Sequence, residues 1–216
     1  MKLFRLDASI RIDGSASRAL GDIVESEWVK EDSDATVTRR HVGTEPVPAT
    51  AWANAVEASG LAEADRSPSH KAAAALAAAD VDALVEADAL LFAVPLYNFG
   101  VSQHFKTWVD LMITDPRLAP GSTALAGKPA VLATVLGGNY SAGTPREGWD
   151  HSTDWMRRVL ADVWGLDLRV VKREFTLVGV NPALDQFTDM ARDLHESAEE
   201  QAREHGRFLA AGRVAA

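Results

Sequence analysis

Apolar and charged residues alternate from the start of the chain, so residues 2–8 are predicted to form a strand. The period then lengthens: Leu20, Ile23, Val24 and Trp28 recur at helical spacing across residues 17–29. Residues 36–42 read as a short polar strand near a sheet edge, and residues 89–94 as a continuous apolar strand of the kind a parallel sheet buries on both faces. Residues 102–113 return to the helical period, with Phe105, Trp108, Val109 and Met112 on one side and an i, i+4 pair in Lys106 and Asp110. A strand over 128–136 ends at Gly137-Gly138, a helix follows over 149–164, and residues 168–178 give a fifth strand. A long helix over 184–209 should turn Phe187, Met190, Ala191, Leu194, Ala198 and Phe208 inward.

The least regular part is residues 43–79, punctuated by Pro46, Pro48, Gly60 and Pro68 around two alanine-rich helical pieces. Ser67-Pro68 has the form of a helix start, with Ser67 as N-cap and proline at the first helical position. Five strands interleaved with helices imply an α/β fold with a parallel sheet covered on both faces, because right-handed crossovers place helices there. No composition shift divides the chain, so residues 1–216 are expected to form one domain with an irregular insertion at about 43–79.

Composition narrows the chemistry. With 47% hydrophobic and 25% charged residues, a sizeable core forms without staples. The absence of cysteine removes disulfides, thiolate nucleophiles and cysteine-ligated metals, and it fits a reducing compartment. The alternating N-terminus is unlike a signal peptide, and no apolar stretch approaches the roughly 18 residues that span a bilayer, so a cytoplasmic protein is expected. A net charge of −9 makes a nucleic-acid backbone an unsuitable partner.

Three loops follow the first, third and fourth strands, and in a flavodoxin-like strand order their ends meet at one sheet edge, where ligands of open α/β sheets bind. The first, residues 7–18, contains Ser9, Arg11, Ser15, Ala16 and Ser17 and leads straight into a helix. Free helix N-terminal amides with hydroxyls suit an anion, here a terminal monophosphate, since neither a Walker loop nor a GxGxxG fingerprint is present. The same serines would also cap the helix with no ligand at all. The second loop, Pro95-Leu96-Tyr97-Asn98-Phe99-Gly100, joins a proline with fixed φ to a permissive glycine. Its aromatic face, two-sided amide and apolar wall suit a flat heteroaromatic with polar edges, read as a flavin ring.

Together these loops make the chain resemble the FMN-dependent NADH-azoreductases, a branch of the flavodoxin-like NAD(P)H:quinone oxidoreductases. The resemblance rests on Ser9 and Ser15-Ala16-Ser17, on residues 95–102 continuing to Phe105, Lys106, Trp108 and Asp110, and on Gly137-Gly138. It implies a five-stranded flavodoxin-like fold and an FMN whose phosphate is bound by Ser9, Ser15, Ser17 and the Ala16 amide, with Arg11 beside them. Pro95, Leu96, Tyr97, Asn98, Phe99 and Gly100 would line the isoalloxazine, and Gly137, Gly138 and Tyr140 would reach its pyrimidine edge. It further implies NADH or NADPH as donor, a quinone or azo acceptor, a ping-pong cycle and a homodimer. Two departures stand out: Ala16 replaces a polar residue, and Val135-Leu136 replaces a polar pair before the diglycine. Residues 43–79 and 139–148 are expected to shape the substrate pocket.

Other residues have plainer readings. No catalytic acid is nominated; Tyr140 and His151 are candidate proton donors, although lone loop residues of these types are more often surface or packing groups. The six histidines lack metal-ligand spacing, and Asp32-Ser33-Asp34 reads as a turn. The charge run over 196–207 reads as a solvated helix face. Trp52, Trp149 and Trp164 are candidates for stacking on a substrate, with Trp155 in a segment of the same kind. Rival functions are an electron-transfer flavodoxin, a flavin-free binding module, and a reductase of nitroaromatics or metal complexes.

Overall fold

The computed structural model describes residues 1–32 and 34–212. Ser33, in the Asp32-Ser33-Asp34 segment expected to be a turn, lies outside the described residues; the Asp34 N–H donates to Asp32 Oδ1 at 2.9 Å. Strands β1 (Lys2–Asp7), β2 (Thr36–Arg40), β3 (Ala89–Tyr97), β5 (Pro129–Val135) and β6 (Asp167–Arg173) form a parallel sheet in the order β2-β1-β3-β5-β6. A two-residue strand, β4 (Gly100–Val101), folds back antiparallel on the end of β3.

Period-two alternation divides the sheet's side chains between two cores. Phe4, Leu6, Leu90, Phe92, Val94 and Leu132 face one side. There they meet α2 (Ala51–Ser59), α3 (Pro68–Glu86), α4 (Gln103–Met112) and α5 (Thr153–Arg157). Leu3, Leu91, Val131 and Ala133 face the other, against α1 (Ala16–Lys30) and α6 (Thr188–Ala211). The predicted apolar side of α4 is fully buried. Its Trp108 packs on Phe4 and Phe105 with centroids 6.3 and 5.9 Å apart, pairs worth about 0.5–1.5 kcal/mol each beyond area burial. The Lys106–Asp110 pair forms at 2.6 Å.

The segment over 43–79 holds the two expected helices. Ser67 caps α3 by accepting from the His70 N–H, and His70 Nδ1 accepts in return from the Ser67 N–H. Such a cap contributes about 1 kcal/mol.

Four boundaries differ from the sequence reading by three residues or more. β3 runs through Pro95 to Tyr97 instead of stopping at residue 94, and the chain then reverses in a two-residue turn. The helix expected from residue 149 begins at Thr153, because the Asp150 carboxylate takes the Ser152 and Thr153 amides and the Thr153 hydroxyl. It continues as a π-helical stretch over Arg158–Val163. β6 ends at Arg173, not 178, where buried Glu174 and left-handed Phe175 (φ 57°) turn the chain. The last helix begins as a 3-10 segment, Pro182–Phe187. At its start Met190 is exposed and Phe187 and Leu194 are only half-buried, so the inward face begins at Ala198.

Candidate active site

Residues 8–15 connect β1 to α1 at the carboxyl edge of the sheet. Ser15 is the N-cap of α1, its Oγ accepting from the Arg18 N–H at 3.4 Å and lying 3.4 Å from Ser17 Oγ. Ser9, Ser15 and Ser17 are all buried. The loop is tied down from several directions: the Arg11 N–H donates to Ser9 Oγ, and Arg18 donates to the carbonyls of Arg11 and Ser9 at 3.0 and 3.4 Å. Gly43 passes so close beneath it that an added Cβ would lie 2.0 Å from the Ser9 carbonyl oxygen. The first amides of α1 lack intrahelical acceptors, and Ser15, Ala16 and Ser17 at this helix start line the same cleft as Ser9.

The hairpin joining β3 to β4 forms the second wall. Tyr97 pairs with Gly100, and the two residues between them, Asn98 (φ 48°) and Phe99 (φ 67°), are both left-handed. That is the backbone of a type I′ turn, which matches the twist of the strands it joins. The special geometry assigned in sequence to Gly100 therefore belongs to Asn98 and Phe99, since Gly100 lies on the returning strand. Phe99 bears a left-handed penalty of roughly 1–2 kcal/mol. It is held by the His151 N–H, which donates to its carbonyl at 3.1 Å, and by an edge-on contact with Trp149 at 5.5 Å. Tyr97 ties this wall to the serine loop: its hydroxyl accepts from the Ile10 N–H at 3.2 Å and lies 3.3 Å from Ser9 Oγ.

Residues 136–141 and 174–180 form the third wall. Glu174, buried, accepts from the Tyr140 N–H at 2.9 Å and the Ser141 hydroxyl at 2.8 Å, with Lys172 3.5 Å away. The Phe175 and Leu177 amides donate to Gly138 and Gly137, which fixes the diglycine against the turn after β6.

These walls enclose a cleft of about 400 Å³. Ser9, Arg11, Ser15, Ala16, Ser17, Pro95, Leu96, Tyr97, Asn98, Phe99, Gly137 and Tyr140 line it together. Gly100 and Gly138 do not: the first is carried away on β4, and Arg146 stands in front of the second. His151 is exposed and contributes its backbone only. Trp149 stands beside Phe99, and Trp52 is exposed on α2. Trp164 is removed from the stacking candidates, because it is buried edge-on against Trp108 at 5.9 Å. The sequence reading missed Arg146, Thr176, Leu177 and Val180 as lining residues. Thr176 and Leu177 fall inside the stretch read as strand and Val180 just beyond it, on a turn marked by left-handed Phe175 and Gly179.

A wider groove of about 620 Å³ opens on the other side of residues 12–16 and is lined by Arg5, Asp7, Arg18, Asp22, Arg39 and His41 among others. The charges around Asp7 are paired within the fold: Asp7 lies 3.1 Å from Arg5, 3.3 Å from His41 and 3.6 Å from Arg18, and Arg5 also reaches Asp22 at 2.7 Å. This network braces the serine loop from below through Arg18.

A family model described as having a flavodoxin-like fold matches residues 1–206. The chain is 34% identical to an FMN-dependent NADH:quinone oxidoreductase of Frankia casuarinae, over 87% of this chain and 90% of that protein. It is 31% identical to an enzyme of the same name from Streptomyces avermitilis, over 96% of each. Among solved structures, an azoreductase from Bacillus anthracis superposes with a TM-score of 0.77 at 19% identity, over 96% of this chain and 99% of that one. An FMN-dependent NADH-azoreductase of that species in complex with FMN gives 0.74 at 16%, over 97% and 100%. No helix among the described residues is long and apolar enough to cross a membrane.

Proposed function

This chain belongs to the flavodoxin-like family of FMN-dependent NADH:quinone oxidoreductases, and from that premise we propose that it binds FMN in the cleft and moves two electrons from NAD(P)H to a quinone or azo acceptor. One observation carries the reading: buried hydroxyls at a helix N-terminus and an aromatic-amide hairpin open into the same cleft. The hydroxyls and free amides fit a phosphate monoester, whose charge would be met by the helix dipole. The hairpin and the diglycine wall fit a planar ring with donors and acceptors on its edge.

Ser9, Ser15 and Ser17, with the Ala16 amide and Arg11, would hold the phosphate; residues 95–99, Gly137 and Tyr140 would hold the ring. When bound, FMN supplies the two-electron chemistry, accepting from the nicotinamide and giving to the acceptor. Phe99, Tyr140 and Trp149 form an aromatic rim that would exclude water and give donor and acceptor one apolar face to occupy in turn, the geometry of a ping-pong cycle. The pocket built by these residues argues against an electron carrier, which needs only an exposed ring edge.

The cleft also has an exposed apolar rim. Ile10, Phe99, Leu177 and Val180 line it and are exposed, Val180 at 65%, and exposed Trp149 packs against Phe99. A second copy of the chain covering this rim gives the homodimer we propose, in the cytoplasm that the cysteine-free composition suits. Sedimentation equilibrium checks the assembly: a two-chain mass is expected, and a monomer at micromolar concentration contradicts it.

Purified protein incubated with FMN should hold the cofactor through gel filtration. Anaerobic NADH or NADPH should bleach the flavin absorption, and a quinone should restore it. Failure to retain FMN, or a spectrum that neither nicotinamide changes, contradicts the function.

A further inference from the structure

The resemblance puts Gly138 beside Gly137 at the pyrimidine edge of the ring, whereas the structure puts a guanidinium there. A Cβ built on Gly138 would lie 2.8 Å from Arg146 Nη1. The Arg146 guanidinium carbon is 6.0 Å from the Phe99 ring centroid and 5.8 Å from that of Tyr140, and Nη1 is 3.5 Å from the Tyr140 hydroxyl. Arg146 is half-buried and lines the cleft.

Among the described residues Arg146 has no ion-pair partner. Its neighbour Glu147 is turned away, accepting from the Gly143 N–H at 2.8 Å. In a chain of net charge −9, a cation fixed between two aromatic faces over a cleft, with no carboxylate beside it, is positioned for a negative charge that arrives with a ligand. The phosphate has its own donors in the serine loop. The neighbours of Arg146 are instead Gly138, beside the cleft-lining Gly137, and Tyr140 and Phe99 of the ring-binding set, and Val135-Leu136 bring no charge to this wall.

We propose that Arg146 is the cationic contact to the N1 and C2-carbonyl edge of the bound isoalloxazine and that it favours the reduced ring; this rests on the FMN reading above. Uptake of two electrons and one proton, the content of one hydride, leaves the ring with one negative charge spread over N1 and the C2 oxygen. A guanidinium offers parallel N–H donors that match two adjacent acceptors, and its attraction to the ring is strong only when that charge is present. The tilted rings of Phe99 and Tyr140, with centroids 6.5 Å apart, flank the fork beforehand, so little reorganisation accompanies the charge.

The test is the midpoint potential of bound FMN, with dissociation constants for oxidised and reduced cofactor, in wild type, Arg146→Met and Arg146→Lys. Loss of one charge-assisted contact should weaken binding of the reduced form in Arg146→Met about tenfold more than binding of the oxidised form. At 29.6 mV per tenfold for a two-electron couple, the potential falls by about 30 mV. Arg146→Lys keeps the charge and should recover most of that shift. An unchanged potential in Arg146→Met, or equal weakening of both forms, overturns the proposal, as does an effect confined to the KM of anionic acceptors. Wild type that binds FMN while the variant's potential stays put defeats this inference alone; wild type that binds no FMN defeats the proposed function as well.

Discussion

Asn98 and Phe99 concentrate the strain of the site in two residues. Asparagine tolerates the left-handed region, so Asn98 can present its amide at the tip of the type I′ turn with little backbone cost. Glycine at the same position keeps the turn and deletes only the amide. Asn98→Gly should therefore leave the thermal midpoint of the apoprotein close to wild type and raise the Kd for FMN by about tenfold, the loss of roughly one buried hydrogen-bonded contact. Fluorescence titration of FMN measures it, and an unchanged Kd would remove Asn98 from the ring site. At this scale the serine loop was legible, because Ser15 and Ser17 stand just before a helical period and few chemistries need hydroxyls there. Arg146 and Thr176 were not, because each reaches the cleft across a tertiary contact that leaves no local pattern.

At the scale of elements, α6 explains how the sheet is closed on the side of α1. The charge run over 196–207 is solvated along one side only, where Arg203 pairs with Glu199 and Glu200 at 3.1 Å each. The other side is a seam of small residues, Ala198, Ala202 and Gly206, buried against α1. An added Cβ at Gly206 would lie 2.6 Å from the Val24 carbonyl oxygen and from Glu27 Cβ, and the backbone atom cannot yield. Gly206→Ala should destabilise the fold by about 1–3 kcal/mol, the usual cost of overpacking, without altering FMN affinity at temperatures where the protein stays folded. Chemical denaturation measures the loss, and a neutral or stabilising result contradicts this packing. Helical spacing revealed α1 and α4 in the sequence because their buried faces carry large apolar residues. The seam of α6 was half hidden, since glycine and alanine register weakly as a hydrophobic stripe. Pro95 misled in a different way: proline is rare inside a sheet, so β3 was ended one residue before it, although the strand continues to Tyr97.

For the whole molecule, the order β2-β1-β3-β5-β6 gathers the loops after β1, β3 and β5 at one edge and gives the cleft its walls. That arrangement was readable because parallel strands joined by helices admit few topologies, and the continuous apolar run of β3 marks a strand buried on both faces. The turn after β6 was not readable, since buried Glu174 and left-handed Phe175 acquire their roles only once Tyr140 and Gly138 are beside them. The central claim concerns this edge as a unit: one cleft takes a phosphate at the head of α1 and a ring at the β3–β4 hairpin. A crystal structure of the protein with FMN tests it most directly. The account predicts the phosphate within hydrogen-bonding distance of Ser9, Ser15 and Ser17 and the isoalloxazine against residues 95–99. FMN bound with its phosphate elsewhere, or its ring outside that hairpin, would contradict it.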